Sequence, residues 1–446
     1  MADNYDLIVI GSGTAAQLAS SRLKAAGWRV AIIDHRPFGG TCALRGCDPK
    51  KMLVSGEEAV EAGRRMRGHG VDGDLRIDWP ALMAFKRSFT DPVPAKQERR
   101  YAEQGIDAFH GIARFTGPDA VAVDGRELRG RHVLIATGAS PVPLGIPGEE
   151  HVITSDDFLE LEGLPACVVL IGGGYIAAEF SHLAARAGAK VTVLQRGSRM
   201  LPNFDPDLVG WLMPSFDRLG IDVRVDAAVT RVEKTADGFL VHTGSEQQAI
   251  AADLVVHAAG RAPNLKALDL SAAGVQLDHG WIALNDFLQS TSNPRIYAAG
   301  DAAGSGPPLT PVSSHDAKVV AGNLLDGNQH RPDYRGVPSV AFTVPPIATV
   351  GLSEAEARAQ GLRVRVKSAN VPEWFTARRL AEPVYAFKTL VEEDSGQVLG
   401  AHLVGPSADE VINIFALAIR HGLTAENLKA TMFAYPTATS DVSYMI

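Results

Sequence analysis

The stretch Tyr5-Asp-Leu-Ile-Val-Ile-Gly-Ser-Gly-Thr-Ala-Ala16 decides the architecture of this chain. Tyr5 to Ile10 reads as a strand, and Gly11 and Gly13 as a tight turn that opens a helical stretch running to Gly27. A second strand, Arg29-Val-Ala-Ile-Ile33, follows and ends at Asp34. Strand, glycine turn, helix, strand and acid is the order of a dinucleotide cradle. The glycines let the backbone approach a pyrophosphate, which rests on the exposed N–H groups of the helix N-terminus. Ala16 stands where such turns carry their last small residue, and Asp34 is placed to bond a ribose hydroxyl.

The pattern recurs. Val168-Val-Leu-Ile171 leads into Gly172-Gly-Gly174, a helix runs to Gly188, and Lys190-Val-Thr-Val-Leu194 follows. This second strand ends in Gln195-Arg196, with Arg199 close behind, and not in an acid. An acid there would bond a 2′-hydroxyl and repel a 2′-phosphate, whereas arginine attracts the phosphate. The second cradle therefore reads as a site for NADPH before NADH; the alternative is that Arg196 points into solvent. Two cradles suggest an electron relay from a transient nicotinamide to a tightly held FAD. Three strand-to-glycine crossings fit that plan: Arg131 to Thr137-Gly138, Leu254 to Gly260-Arg261, and Pro294 to Gly300-Asp301. The last puts an acid where it could bond a flavin's ribityl chain.

At 446 residues the chain has room for two to four domains. Its net charge of −8 argues against a nucleic-acid partner, which would need clustered basic residues. The pairs Arg64-Arg65, Arg99-Arg100 and Arg378-Arg379 read as solvated surface. The N-terminus has no basic start or cleavage site, and no apolar run is long enough to span a bilayer. A cytoplasmic protein with no membrane association is expected. Three cysteines are too few for an extracellular disulfide framework. Cys167 reads as an inert core thiol. Cys42 and Cys47, close together in Gly39-Gly-Thr-Cys-Ala-Leu-Arg-Gly-Cys-Asp-Pro-Lys-Lys51, read as a catalytic or metal-binding pair.

Together these motifs resemble the class I pyridine nucleotide–disulfide oxidoreductases, the group of glutathione reductase, dihydrolipoamide dehydrogenase and mercuric reductase. The resemblance runs over essentially the whole length, through the two glycine turns, Gly39-Gly-Thr-Cys with Cys47, Ala136-Thr-Gly138, Gly260-Arg-Ala-Pro-Asn264, Ala299-Gly-Asp301 and Pro345-Pro-Ile-Ala-Thr-Val-Gly-Leu352. It implies an α/β fold with two Rossmann-like dinucleotide-binding domains and a C-terminal α+β dimerisation domain. An FAD domain (1–149 and 263–330) would be interrupted by an NADPH domain (150–262), with an interface domain at 331–446. The expected assembly is a homodimer acting on a disulfide or other small-molecule substrate. Gly40, Thr41, Thr137, Gly138, Gly260, Arg261, Gly300 and Asp301 would join the first cradle against the cofactors.

The resemblance also gives the cysteines roles: Cys47 as the flavin-facing thiol and Cys42 as the interchange thiol. Cys47 should open a helix, and a helix N-terminus with lysines nearby favours a thiolate. A zinc site is the alternative, but no matching His or Cys cluster accompanies the pair, and no metal is expected. Lys50 or Lys51 should pair with Glu179; the residues leave open which, with Lys50 the better match to glutathione reductases. Tyr175 resembles the tyrosine that covers the flavin, packing on a helix face being its alternative role.

The C-terminus departs from the family. The usual His-Pro-Thr-X-X-Glu reads Tyr435-Pro-Thr-Ala-Thr-Ser440, and an acid, Asp441, follows one position late. A phenol titrates near pH 10 and is a poor base at pH 7. General acid–base help is typically worth about 10²–10⁴-fold, so reduction of glutathione disulfide should be slow. His402 and His421 show no spacing that aims them at Cys42. The absence of a C-terminal cysteine pair argues against mercuric ion as the substrate, and Glu373 to Arg379 reads as packing or a substrate groove. Three functions are consistent with these residues: a disulfide reductase, a flavin-level reductase of quinones or other small acceptors, and a redox sensor.

Overall fold

The computed structural model describes residues 3–244 and 249–446. The chain divides into two compact units, one formed by 1–50, 85–142 and 261–334, the other by 51–84, 143–260 and 335–446.

The first unit is built on a seven-stranded sheet. Asp107–His110, Val30–Asp34, Asp3–Ile10 and Arg126–Ile135 lie side by side and parallel, with Ile296–Ala298 parallel to the last of these. Leu7, Ile8 and Val9 are fully buried, as expected for a parallel strand covered on both faces. Two apolar clusters cover the sheet: one around Ile8, Val133 and Ile296, the other around Leu7, Val9 and the helix Thr14–Ala25.

The second unit holds a four-stranded parallel sheet in the order Asp222–Arg224, Lys190–Leu194, Cys167–Ile171, Leu254–His257. It also holds a five-stranded antiparallel sheet of Ser339–Ala341, Ile347–Gly351, Val398–Val404, Ala386–Glu392 and Val364–Asn370. The helix Ala408–Arg420 buries Val411, Ile412 and Phe415 in the cluster that includes Phe387 and Leu403 of that sheet. The fold is thus the expected α/β arrangement of two glycine-turn sheets and a C-terminal α+β part.

Two sequence expectations need correction, and one open alternative is narrowed. Arg65 is not solvated surface: it forms an ion pair with Glu382, which is 3% exposed. Cys167 is half-buried at the start of its strand, its backbone N–H donating to Asp253 at 2.8 Å, and is not a core thiol. Trp374 packs its ring against Tyr385, Phe387 and Tyr444, which settles it as part of the core edge. Among the described residues no helix is long and apolar enough to cross a membrane, and no group of three or more His, Cys, Asp and Glu could hold a metal ion.

Candidate active site

The two cradles repeat one another in detail. Gly11 donates to Ile33 O at 2.7 Å, and Gly172 donates to Leu194 O at 2.8 Å. Gly11 has φ +108°, and a Cβ there would lie 2.2 Å from Ala136 O; Gly172 has φ +115°, and its Cβ would lie 2.3 Å from Ala258 O. Only glycine fits where the turn presses on the end of a neighbouring strand. Gly13 and Gly174 are the N-caps of Thr14–Ala25 and Tyr175–Arg186, and neither helix has a side-chain cap. Their first N–H groups are therefore directed at the turn, the arrangement that receives a phosphate. Ala16 is fully buried beneath the first turn.

The first cradle fits a flavin dinucleotide. Asp34 ends its strand and accepts hydrogen bonds from Ser12 Oγ at 2.6 Å and Arg36 N at 2.9 Å. Thr137 Oγ1 is buried with no hydrogen-bond partner, a polar group suited to a bound one. Gly138 and Gly300 both take positive φ, +66° and +64°. Burial raises the Asp301 carboxyl, and Arg261 opposes this. Arg261 itself donates to Ala139 O, where Arg261–Pro263 pairs with Ala139–Pro141. Gly260 is exposed with φ +117°.

The cysteine segment is packed directly onto this cradle. A Cβ on Gly40 would lie 2.3 Å from Gly13 Cα. Gln17, which the sequence reading missed, ties the two together by donating to Ser12 O at 2.9 Å and Gly39 O at 3.2 Å. Thr41 is exposed. Cys42 lies in the short helix Gly40–Arg45, and Gly46 breaks it so that Cys47 opens a second helix, Cys47–Arg65. Cys42 is half-buried and Cys47 exposed.

Thr310 was also missed. It is the first residue of the helix Thr310–Asp326, and its hydroxyl lies 3.2 Å from Cys42 Sγ and 3.4 Å from Cys47 Sγ. Thr-Pro at 310–311 is a local helix-start signal, but nothing local tied it to cysteines more than 260 positions away. Two helix N-termini thus meet at the sulfurs. A hydrogen bond from Cys42 brings the Cys47 thiol down to about 6; burial opposes this, while Thr310 and Lys50 add to it. Cys42, donating that bond, is pushed well up and keeps its proton. The surroundings thus favour a thiolate at Cys47 beside a Cys42 thiol.

In the second unit, Tyr175 opens the cradle helix and is 46% exposed. Glu179, one turn on, is buried and accepts from Phe342 N at 2.8 Å. Lys51 pairs with Glu58 at 2.8 Å, and its ammonium lies 4.6 Å from the centre of the Phe342 ring. Of the two phosphate candidates, Arg196 is exposed, whereas Arg199 donates to the carbonyls of Leu201, Pro202 and Phe204. Arg199 therefore shapes its own loop. Tyr435 is 82% exposed and follows Ala434 into a cis bond with Pro436. Asp441 does not serve it: the carboxylate accepts the Tyr385 hydroxyl at 2.8 Å. His402 is buried against Thr349, and burial lowers its pKa.

Twin glycine cradles, with a thiol–thiolate pair packed on the first, define a flavin- and nicotinamide-linked thiol oxidoreductase. Residues 5–317 match the model of the pyridine nucleotide-disulphide oxidoreductases, residues 337–446 match that family's dimerisation domain, and the chain belongs to this family. Its relatives include a glutathione reductase from Burkholderia cepacia, 33% identical over 98% of this chain and 97% of that protein. A mercuric reductase from Lysinibacillus sphaericus is 34% identical over 98% of this chain and 81% of that protein. Among solved structures, the HOCl-induced flavoprotein disulfide reductase RclA from Escherichia coli, as its Cu(II) complex, superposes with a TM-score of 0.90 at 29% identity, covering 99% of each chain.

Proposed function

We propose that this enzyme takes electrons from NADPH, holds them as the Cys42–Cys47 dithiol, and passes them to a disulfide or another thiol-reactive acceptor. The observation that carries this is the thiol pair itself: both sulfurs lie within 3.4 Å of the Thr310 hydroxyl where two helices begin, a setting that favours a Cys47 thiolate. FAD, when bound, supplies two-electron transfer between a nicotinamide hydride and that pair. Gly11, Gly13, Ala16 and Asp34 are assigned to its pyrophosphate and adenosine end, and Thr137, Gly138, Gly300 and Asp301 to the rest. Residues 1–149 and 263–330 make up this domain, 150–262 the nicotinamide domain, and 331–446 the interface of a cytoplasmic homodimer. Arg196 takes the 2′-phosphate, Tyr175 shields the flavin's nicotinamide side, and Lys50, which lies near Cys47 and adds to lowering its thiol, is the lysine assigned to the flavin edge.

The sulfur chemistry balances as follows. The Cys42–Cys47 disulfide takes up two electrons and one proton to give a Cys42 thiol and a Cys47 thiolate. As Cys42 sulfur attacks an acceptor disulfide to form a mixed disulfide, its proton passes to the neighbouring Cys47 thiolate and the first product leaves as a thiolate. That proton then moves from Cys47 to the departing sulfur, towards which Tyr435 of a second copy can donate a hydrogen bond. Cys47 thiolate then attacks Cys42 sulfur, re-forms the internal disulfide and expels the second product.

A second reading is favoured by the C-terminal tail, where Asp441 is bonded to Tyr385 and Tyr435 stands without an acid partner. An acceptor that needs no proton suits that tip, and the RclA structure above is a Cu(II) complex. Here two Cu(II) ions would each take one electron as the dithiol closes to a disulfide and releases its protons. Alkylating the NADPH-reduced enzyme tests both readings, because both route electrons through the thiols. Turnover with an aromatic disulfide or with Cu(II) should stop; turnover that survives would place the exit at the flavin. Comparing the two acceptors on unmodified enzyme then decides between them.

A further inference from the structure

Asp441 lies one position beyond the usual glutamate, and its hydrogen bond gives it a different task. Tyr385, 3% exposed, donates to it from just before the strand Ala386–Glu392. Asp441 ends the turn Ala438–Asp441, which Thr437 caps by accepting from Ser440 N at 3.2 Å. The Thr437 hydroxyl in turn donates to Ala434 O at 2.6 Å, next to Tyr435. Beyond the turn the tail is pinned as well: Val442 and Met445 are buried, Thr389 Oγ1 donates to Met445 O at 2.6 Å, and Lys367 Nζ to Ile446 O at 3.3 Å. Within the single chain the tip itself is exposed, Met432 to 98% and Tyr435 to 82%. An unbroken series of contacts thus runs from a buried phenol at the edge of a sheet strand to an exposed phenol at the tip.

We infer that Tyr385 is a positioning residue for the acceptor half of the reaction: through Asp441 and the capped turn it fixes the segment that presents Tyr435. The inference rests on the thiol-relay reading above. It gives Asp441 a role although no histidine needs orienting: the carboxylate mounts the loop, and Tyr435 works as a lone hydroxyl. Tyr385→Phe removes the donor while keeping the ring that packs near Trp374.

The test uses the holoenzyme with dithiobis-nitrobenzoate as acceptor, and compares Tyr385→Phe, Tyr435→Phe and the double variant. Reduction by NADPH, followed by the long-wavelength thiolate-to-flavin absorbance, should match the parent in Tyr385→Phe. Acceptor kcat/KM should fall about tenfold, the worth of one hydrogen bond to a charged group. The double variant should lose no more than Tyr435→Phe alone, since both changes remove one function. Asp441→Asn, which keeps an acceptor oxygen for Tyr385, should retain most of the activity, and amides 434–441 should exchange faster in Tyr385→Phe. Parent-like acceptor kinetics in Tyr385→Phe, or losses that add in the double variant, would overturn the inference while leaving the relay intact. Parent turnover that survives thiol alkylation would overturn both. If Tyr385→Phe does not fold, Asp441→Ala breaks the same bond and is read by the same criteria.

Discussion

Replacing Thr310 by valine should raise the Cys47 thiol by about one pKa unit. The hydroxyl lies 3.2 Å from one sulfur and 3.4 Å from the other, and its single hydrogen favours whichever carries the charge. A hydrogen bond to a charged group is worth roughly 1.5–3 kcal/mol. Cys47 is exposed, so water screens part of this, and half, roughly 0.75–1.5 kcal/mol, is the reasonable share. At about 1.4 kcal/mol per unit, that moves the thiol from about 6 towards 7. Valine keeps the shape of threonine, so the helix start should survive. The assay is the pH dependence of the long-wavelength thiolate-to-flavin absorbance in NADPH-reduced enzyme. A midpoint within about 0.3 unit of the parent would refute the reasoning, because it would leave the thiolate to the helix ends and Cys42 alone.

The parent band should itself fade as pH falls through about 6, since a depressed thiol is charged above its pKa and protonated below it. In Cys42→Ala, which removes the largest cause of the depression and cannot form the disulfide, the midpoint should move up, as read by the same absorbance in enzyme not treated with NADPH. Arg196→Ala should raise KM for NADPH about tenfold or more and leave KM for NADH unchanged, the loss of one charged contact to a 2′-phosphate. A second set of measurements concerns the buried cluster of Arg186, which donates to Glu61 at 3.0 Å and Val344 O at 3.0 Å and lies 3.6 Å from Glu57. Arg186→Met should cost about 3–5 kcal/mol in denaturant unfolding, because it strands buried acceptors. Burial raises Glu57 to about 8 despite Arg186. Between its unfolded pKa and about 8 the native state holds the extra proton, so this group's contribution declines as pH rises through that window, by up to about 1.4 kcal/mol per unit. Glu57→Gln should flatten that slope in the same assay.

The parts of this molecule that could be read from sequence are those set by local chemistry. Gly11 and Gly172 announce their turns because no other residue tolerates the backbone there, and Cys47 opens a helix because Gly46 ends the one before it. The paired cradles and the α/β class follow from such signals, whereas the dimerisation part was implied only by the family resemblance. What escaped is set by contacts between distant segments. Thr310 meets the cysteines only because the fold brings a helix start to them. Arg199 looks like Arg196 in sequence, yet three carbonyls of its own loop claim it. Lys51 and Lys50 are neighbours, but the helix turns Lys51 towards Glu58. Asp441 looked like a slipped general-base partner until Tyr385, more than 50 positions away, was found at its carboxylate.

The measurement that tests the central claim most directly is an anaerobic titration with NADPH, followed across the flavin absorbance bands. If Cys42 and Cys47 are the working electron store, the first equivalent should produce a long-wavelength thiolate-to-flavin band with the flavin still oxidised. Direct bleaching of the flavin at the first equivalent, with no such band, would contradict the account and place the store at the FAD.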